Sequence, residues 1–305
     1  MSPPVVSFFV HDDIPGGPAD LWNHWSFEPG VLIGLCLLVA AYTIGLTRLW
    51  RRAGAARGVT GGWVAAFAAG VLCLGAALVS PLDPLSDVLF SAHMVQHLLL
   101  VVVAAPLLVL GGPEVACLWA LPASGRAAIG HTWQRLAHRF GRRGSAQFTL
   151  GAVFLMTIVL WAWHLPALYD LAVGHEAVHA AEHVTFLVAA VTFWSAVLRL
   201  RPGEDVDNGL RIVSVFAMAL QGSILGALIT FSDRVLYESH ATIPVTWRIG
   251  PATDQQLAGL IMWVPPGLIY VGAAAFLFVR WLGAVQARAE RGRLPPPAAT
   301  GRRRS

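Results

Sequence analysis

Apolar runs long enough to cross a bilayer recur seven times in this chain, at about residues 30–49, 61–80, 88–110, 147–163, 177–198, 210–231 and 257–282. A hydrocarbon core of ~30 Å needs roughly 20 apolar residues in helix, and inside it each segment must satisfy its own backbone N–H and C=O groups. Seven such runs predict an all-α membrane protein, a seven-transmembrane helix bundle. The residue balance agrees, with 56% hydrophobic and 12% charged residues, where a soluble domain carries about a quarter charged. A shorter apolar piece, Val115–Leu121, falls below spanning length and reads as an interfacial segment in the long loop after the third run.

Arginine sets the expected orientation, because the chain has no lysine and cytoplasmic loops collect positive residues. Arg48, Arg51, Arg52 and Arg57 follow the first run, Arg126, Arg135, Arg139, Arg142 and Arg143 the third, and Arg199 and Arg201 the fifth. Arg288, Arg291, Arg293, Arg302, Arg303 and Arg304 follow the seventh. The N-terminal arm, with Asp12, Asp13, Asp20 and Glu28, and the loop with Asp83 and Asp87 have none. The N-terminus is therefore expected outside and the C-terminus in the cytoplasm. The plan is an outward-facing arm over 1–29, a transmembrane domain over 30–283 and a basic Pro/Arg-rich tail over 284–305, expected to be disordered.

The arginines behind the pI of about 9.4 are explained by this topology and by attraction to anionic inner-leaflet lipid, so lipid is an expected partner and nucleic acid is not. Residues 1–29 lack a basic leader region and "VVSFFV" is too short for a signal core, so no cleaved signal peptide is expected. Cys36, Cys73 and Cys117 are isolated, which argues against a thiolate metal site or a disulfide framework. A surface helix is expected around "ASGRAAIGHTWQRLAHRF", which carries His131 and His138, and Pro106 and Pro265–Pro266 should kink their helices.

Nine of the eleven histidines, His11, His24, His93, His97, His164, His175, His179, His183 and His240, fall in outer loops or outer helix halves under this topology. Ionisable residues inside a span are costly enough to be functional candidates. His93 and His97 in "SAHMVQHLLL" are four apart and share a helix face, and His175, His179 and His183 form a second stripe. With the third span starting near Asp87, His93 and His97 should lie roughly 9 and 15 Å below its outer end. His164, in "WAWHLP", ends the fourth span at the same level. Five imidazoles, His93, His97, His164, His179 and His183, can thus converge from three helices as a metal site, and imidazole suits copper, zinc, iron or nickel. Glu182, Asp170 and Glu176 could orient the rings as outer acceptors. Asp254 and Gln256, at the outer edge of the seventh span, could line the site, with helix capping the simpler account of Asp254. Met94 and Met262 could add thioether donors for Cu(I), and packing is the simpler account of both. Gln96 and Gln221 read as interhelical hydrogen-bonders.

"FSAHMVQHLLLVVVAAPLLVLG", "WAWHLPALYDLA", "HAAEHVTFLVAAVTFW", "GALITFSDRVLY" and "DQQLAGLIMWVPPGLIY" together resemble the CtaG family of cytochrome c oxidase assembly factors, over about residues 28–283. This is the multispan type associated with caa-type oxidases, distinct from the single-span copper chaperone sharing the name. The resemblance implies a seven-span bacterial plasma-membrane protein that helps a haem–copper oxidase mature. It carries over His93, His97, His164, His179 and His183, with Asp254 and Gln256 from "DQQLAG".

The expectation is a non-enzymatic assembly factor that binds or relays copper at an outward-facing histidine site for oxidase subunits. One alternative is a membrane b-type cytochrome with bis-histidine haem, on a pair such as His97 and His183. Another is a metal permease, which should carry polar or liganding residues on through the membrane, whereas "LLVVVAAPLLVL" and "TFLVAAVTFW" have almost none.

Overall fold

The computed structural model describes residues 15–129, 143–198 and 206–293. In chain order its helices are α1 (Pro29–Ala53), α2 (Gly61–Leu78), the short α3 (Leu82–Val88), α4 (Phe90–Leu110), the short α5 (Pro113–Ala120), α6 (Arg143–Trp163), the short α7 (Pro166–Val173), α8 (Glu176–Leu198), α9 (Val206–Thr230) and α10 (Pro251–Arg293). There is no strand among the described residues. Seven helices, α1, α2, α4, α6, α8, α9 and α10, are long and apolar enough to span a membrane, each within a few residues of an apolar run read from the sequence.

Successive spans alternate in direction, so the starts of α4, α8 and α10 meet the ends of α2, α6 and α9 at one end of the bundle. Hydrogen bonds across that end support this. Gln96 of α4 donates to the carbonyl of Ala77 in α2 (2.9 Å), and Gln255 of α10 donates to Arg234 O just past α9 (3.0 Å). The arm and the loop before α10 meet there too, where the Thr246 hydroxyl donates to Gly16 O (2.5 Å). α4 and α8, the two helices that carry histidine pairs, are the most buried spans, whereas α1 and α10 leave most of their apolar surface outward. An apolar helix exposed in this way suits lipid as its solvent.

Three segments differ from the sequence expectation. Residues 80–87, read as a loop, fold from Leu82 onward into α3 (Leu82–Val88), and its Asp83 and Asp87 are buried. The Ser80 hydroxyl accepts from Leu82 N–H (3.2 Å), and the Asp83 carboxylate accepts from Gln96 (2.6 Å), so Ser80 and Asp83 of this Pro-rich stretch find their partners inside the fold. The Val115–Leu121 region is α5, packed on α1: a Cβ at Gly45 would run into Ala116 O, and Arg48 donates to Ala120 O. α10 runs to Arg293, ten residues beyond its apolar stretch, because Ala, Gln, Glu and Arg there favour helix up to Pro295. The start of the expected tail is thus helical. Residues 294–305, His11, His131 and His138 lie outside the described residues, and 123–129 of the expected surface helix are helical.

α4 changes its winding along its length. It is α-helical over Phe90–Leu98, π-helical over Leu99–Ala104 and α-helical again over Ala105–Leu110. Pro106 supplies no N–H, so a π-type bond to Val101 O cannot form. The Trp194 indole N–H of α8 donates to that carbonyl instead, at 2.8 Å. By contrast, α10 is continuous through Pro265–Pro266.

Candidate metal centre

α4 begins at Phe90, after extended Leu89, not near Asp87. His93 and His97 are therefore three and seven residues into α4, roughly 5 and 10 Å along it, shallower than the sequence implied. His179 and His183 are likewise three and seven residues into α8. The two pairs share one register, and their rings meet: centroids are 4.3 Å apart for His93–His97, 5.4 Å for His93–His179, 5.7 Å for His97–His183 and 4.3 Å for His179–His183. His164, just past the end of α6, stands 6.2 Å from His97.

Glu182, expected as an outer acceptor, lies among the rings. It is fully buried, with its oxygens 3.7 Å from His93 Nε2 and 3.6 Å from His97 Nε2. Two overlapping triads result: one ligand atom each from His93, His97 and His183 lie within 4.8 Å of one another, as do those from His93, His179 and Glu182. Two ligands held about 2.0–2.1 Å from one ion at a tetrahedral angle would themselves be roughly 3.4 Å apart. The Glu182–imidazole separations are close to that and too long for hydrogen bonds.

The cluster is short of partners. Nε2 of His93, both ring nitrogens of His97, Nε2 of His164 and His183, and both Glu182 oxygens are buried and make no hydrogen bond. An unsatisfied buried polar atom costs about 1–3 kcal/mol, so these seven would rival the ~5–15 kcal/mol by which a folded domain is stable. An ion that takes several of these lone pairs at once removes most of that cost. The donor set, imidazole nitrogens and one carboxylate, fits copper or zinc.

The surroundings fix the rings. His164 Nδ1 bonds the carbonyl of Leu160 at 2.7 Å, which makes Nδ1 the donor and leaves the Nε2 lone pair available. Tyr169 packs edge-on against His93 at 4.9 Å, and Phe186 lies tilted against His97 at 4.6 Å. Asp254 reaches across from α10 to accept from the backbone N–H of Phe90 (2.7 Å) and Ser91 (3.3 Å) and from the Ser91 hydroxyl. It caps the helix that carries His93 and His97, not its own. Asp170 accepts from Ser239 N–H (3.1 Å) and Ser239 Oγ (2.7 Å), tying down the loop that carries His240.

Gln256 and Glu176 do not join the cluster. Gln256 is exposed, and its neighbour Gln255 turns inward, accepting from Leu236 N–H at 2.7 Å. Glu176 is exposed at the start of α8, and His175 is exposed before it. His24 pairs with Asp20 at 2.6 Å in the arm. Sequence reasoning passed over Tyr169 and gave His240 no place at the site. His240, in the loop before α10, is buried and accepts from the Tyr169 hydroxyl at 2.8 Å. Burial holds its pKa down to about 3, so it is neutral and its Nε2 can accept.

Comparison with known proteins gives one family and a few relatives. The model of the cytochrome c oxidase caa3 assembly factor family matches residues 40–284. Uncharacterized proteins of Mycobacterium bovis and Mycobacterium tuberculosis are each 25% identical over 280 residues, covering 90% of this chain and 42% of theirs. One of Mycobacterium leprae is 24% identical over 279 residues, with the same shares. The chain thus spans less than half the length of these relatives. No solved structure matches it.

Proposed function

The chain belongs to the cytochrome c oxidase caa3 assembly factor family, and from that premise we propose that it serves oxidase maturation by holding copper at the buried cluster of His93, His97, His179, His183 and Glu182. His164 is an additional ligand. The observation that carries this reading is the convergence of unbonded nitrogens of His93, His97, His164 and His183 on the unbonded carboxylate of Glu182. The ion is cargo for a haem–copper oxidase subunit, and the chain catalyses no reaction. The arginine distribution favours an orientation with the cluster on the outer side of a bacterial plasma membrane, where extracytoplasmic copper arrives. Imidazoles are neutral ligands and Glu182 adds one negative charge, so the bound ion and its ligands can be buried at little net charge.

The test is elemental analysis of the protein purified in detergent, after aerobic loading with Cu(II) and removal of loose ions, beside a His93→Ala/His97→Ala variant whose folding is checked by circular dichroism. Near-stoichiometric copper in the wild type, lost in the folded variant, is the expected result. A protein that carries no copper, or that shows a Soret band in its place, overturns the copper reading. The compact cluster favours a single-atom ligand over haem, because a porphyrin between His97 and His183 would have to pass His93 and Glu182.

A further inference from the structure

Every methionine after Met1 lines one cavity. Met94, Met156, Met218 and Met262 come from four different spans, α4, α6, α9 and α10, and His97 and His164 line the same space. Only fourteen residues of the chain line it, so the meeting of all four thioethers there is not what scattered packing would give. The cavity measures about 60 Å³, several times what a water molecule needs and ample for a metal ion.

The methionines are also graded in depth. Counted from the histidine end at ~1.5 Å per residue, Met94 lies roughly 6 Å along its helix, Met156 roughly 10 Å, and Met262 and Met218 roughly 17 and 18 Å. The last two are near the middle of a ~30 Å hydrocarbon core. Met218 is held in place, since its sulfur accepts from Gln221 Nε2 at 3.7 Å while Gln221 Oε1 accepts from the Trp161 indole at 3.3 Å. His97 and His164, each 6% exposed, have Nε2 atoms with no hydrogen bond, so the boundary between the histidine cluster and the cavity carries unused donors.

Thioether sulfur is soft, uncharged and selective for Cu(I) among biological copper states. We propose that this cavity is a second, soft metal site, which takes Cu(I) from the His97–His164 edge of the cluster and holds it between the methionines of α6, α9 and α10. This rests on the reading of the histidine cluster as a copper site. The ion exchanges imidazole for thioether ligands as Cu(I), and no electron moves.

The test is anaerobic titration of the full chain in detergent with Cu(I), read by copper K-edge X-ray absorption, which separates sulfur from nitrogen neighbours. Three proteins are compared: wild type, Met156→Leu/Met218→Leu/Met262→Leu, and His93→Ala/His179→Ala. Leucine keeps the volume of methionine and removes the sulfur. We expect sulfur neighbours in the wild type, with loss of one copper equivalent and of the sulfur signal in the methionine variant while nitrogen-bound copper stays. The histidine variant should keep sulfur-bound Cu(I) and lose the nitrogen-bound ion. If the triple variant does not fold, Met156→Leu and Met262→Leu singly should each lower the sulfur coordination number. Wild type with nitrogen neighbours only, and equal copper in the methionine variant, overturns the soft site while leaving the histidine site standing. Absence of nitrogen-bound copper in the wild type sinks the histidine reading instead, and the sulfur signal then decides the cavity by itself.

Discussion

Glu182 and His97 face each other across 3.6 Å in a space closed to solvent, a separation too long for a hydrogen bond and suited to an ion shared between them. A buried carboxylate with no hydrogen-bond donor is a liability unless a cation compensates it. The arrangement therefore makes opposite demands on the metal-free and the metal-bound protein, and the first prediction separates them.

Glu182→Leu should stabilise the metal-free protein and reduce its stabilisation by Cu(II) to what the imidazoles alone supply. Replacing a buried polar group that has no hydrogen-bond partner by an apolar side chain of similar size removes a desolvation cost of about 1–3 kcal/mol. Wild type should gain about 2.7 kcal/mol at copper concentrations 100 times Kd. Thermal melts in detergent with and without copper check this. A Glu182→Leu protein that melts below metal-free wild type would show that the carboxylate has a protein partner.

Asp254 contributes at a distance from the cluster. It accepts the N–H groups of Phe90 and Ser91 at the start of α4 and contacts no ligand ring among its hydrogen bonds. Loss of a helix cap costs about 0.5–2 kcal/mol, so Asp254→Ala should lower stability by that order and weaken copper binding several-fold by loosening the first turn that aims His93. Asp254→Asn, which keeps an acceptor oxygen, should recover most of the affinity. Equal copper affinity in Asp254→Ala and wild type would reduce Asp254 to a stabilising residue.

Sequence made the spans and the histidine pairs legible because both rest on periodicities that tertiary structure cannot alter: length against bilayer thickness, and four-residue spacing on a helix. It did not make the partners of those pairs legible. Gln256 and Gln255 differ by one position, about 100° on a helix, and only the crossing of α9 on α10 selects Gln255 as the inward one. Glu182 is visible between His179 and His183, yet whether it stands beside the imidazoles or among them depends on the depth at which α8 meets α4. That depth follows from where α4 starts, and the start at Phe90 is set by Asp254, 164 residues away in the chain. His240 reaches the site through a loop that has no repeating pattern to read.

The crossing of α9 and α10 leaves no room for a methyl group. A Cβ at Gly226 would come within 2.7 Å of Gly259 O, and one at Gly259 within 2.6 Å of Gly226 O. Gly259→Ala should therefore force the helices apart and cost about 1–3 kcal/mol, displacing Gln255 and Asp254 on the same helix. Gly267→Ala, in the same helix with nothing within 4 Å, is the control and should be neutral or slightly stabilising. Thermal melting of both variants in detergent gives the comparison, and equal melting points would argue that the crossing can relax.

Trp194 ties the winding of α4 to the helix that carries the second histidine pair. Its indole N–H fills the carbonyl of Val101 left open by Pro106, and its ring stacks on Tyr270 of α10 at 5.6 Å. Trp194→Phe keeps most of the ring and removes the donor, leaving a buried carbonyl unsatisfied in an apolar environment at a cost of about 1–3 kcal/mol. The π segment begins two residues after His97, so its relaxation would turn His97 relative to Glu182. The expected result is a lower melting point together with weaker copper binding, although Trp194 lies outside the cluster. Pro106→Ala restores the missing N–H, which can bond Val101 O itself. Combining Pro106→Ala with Trp194→Phe should therefore recover stability that Trp194→Phe loses alone, and a double-mutant cycle with no coupling between the two positions would refute the shared carbonyl.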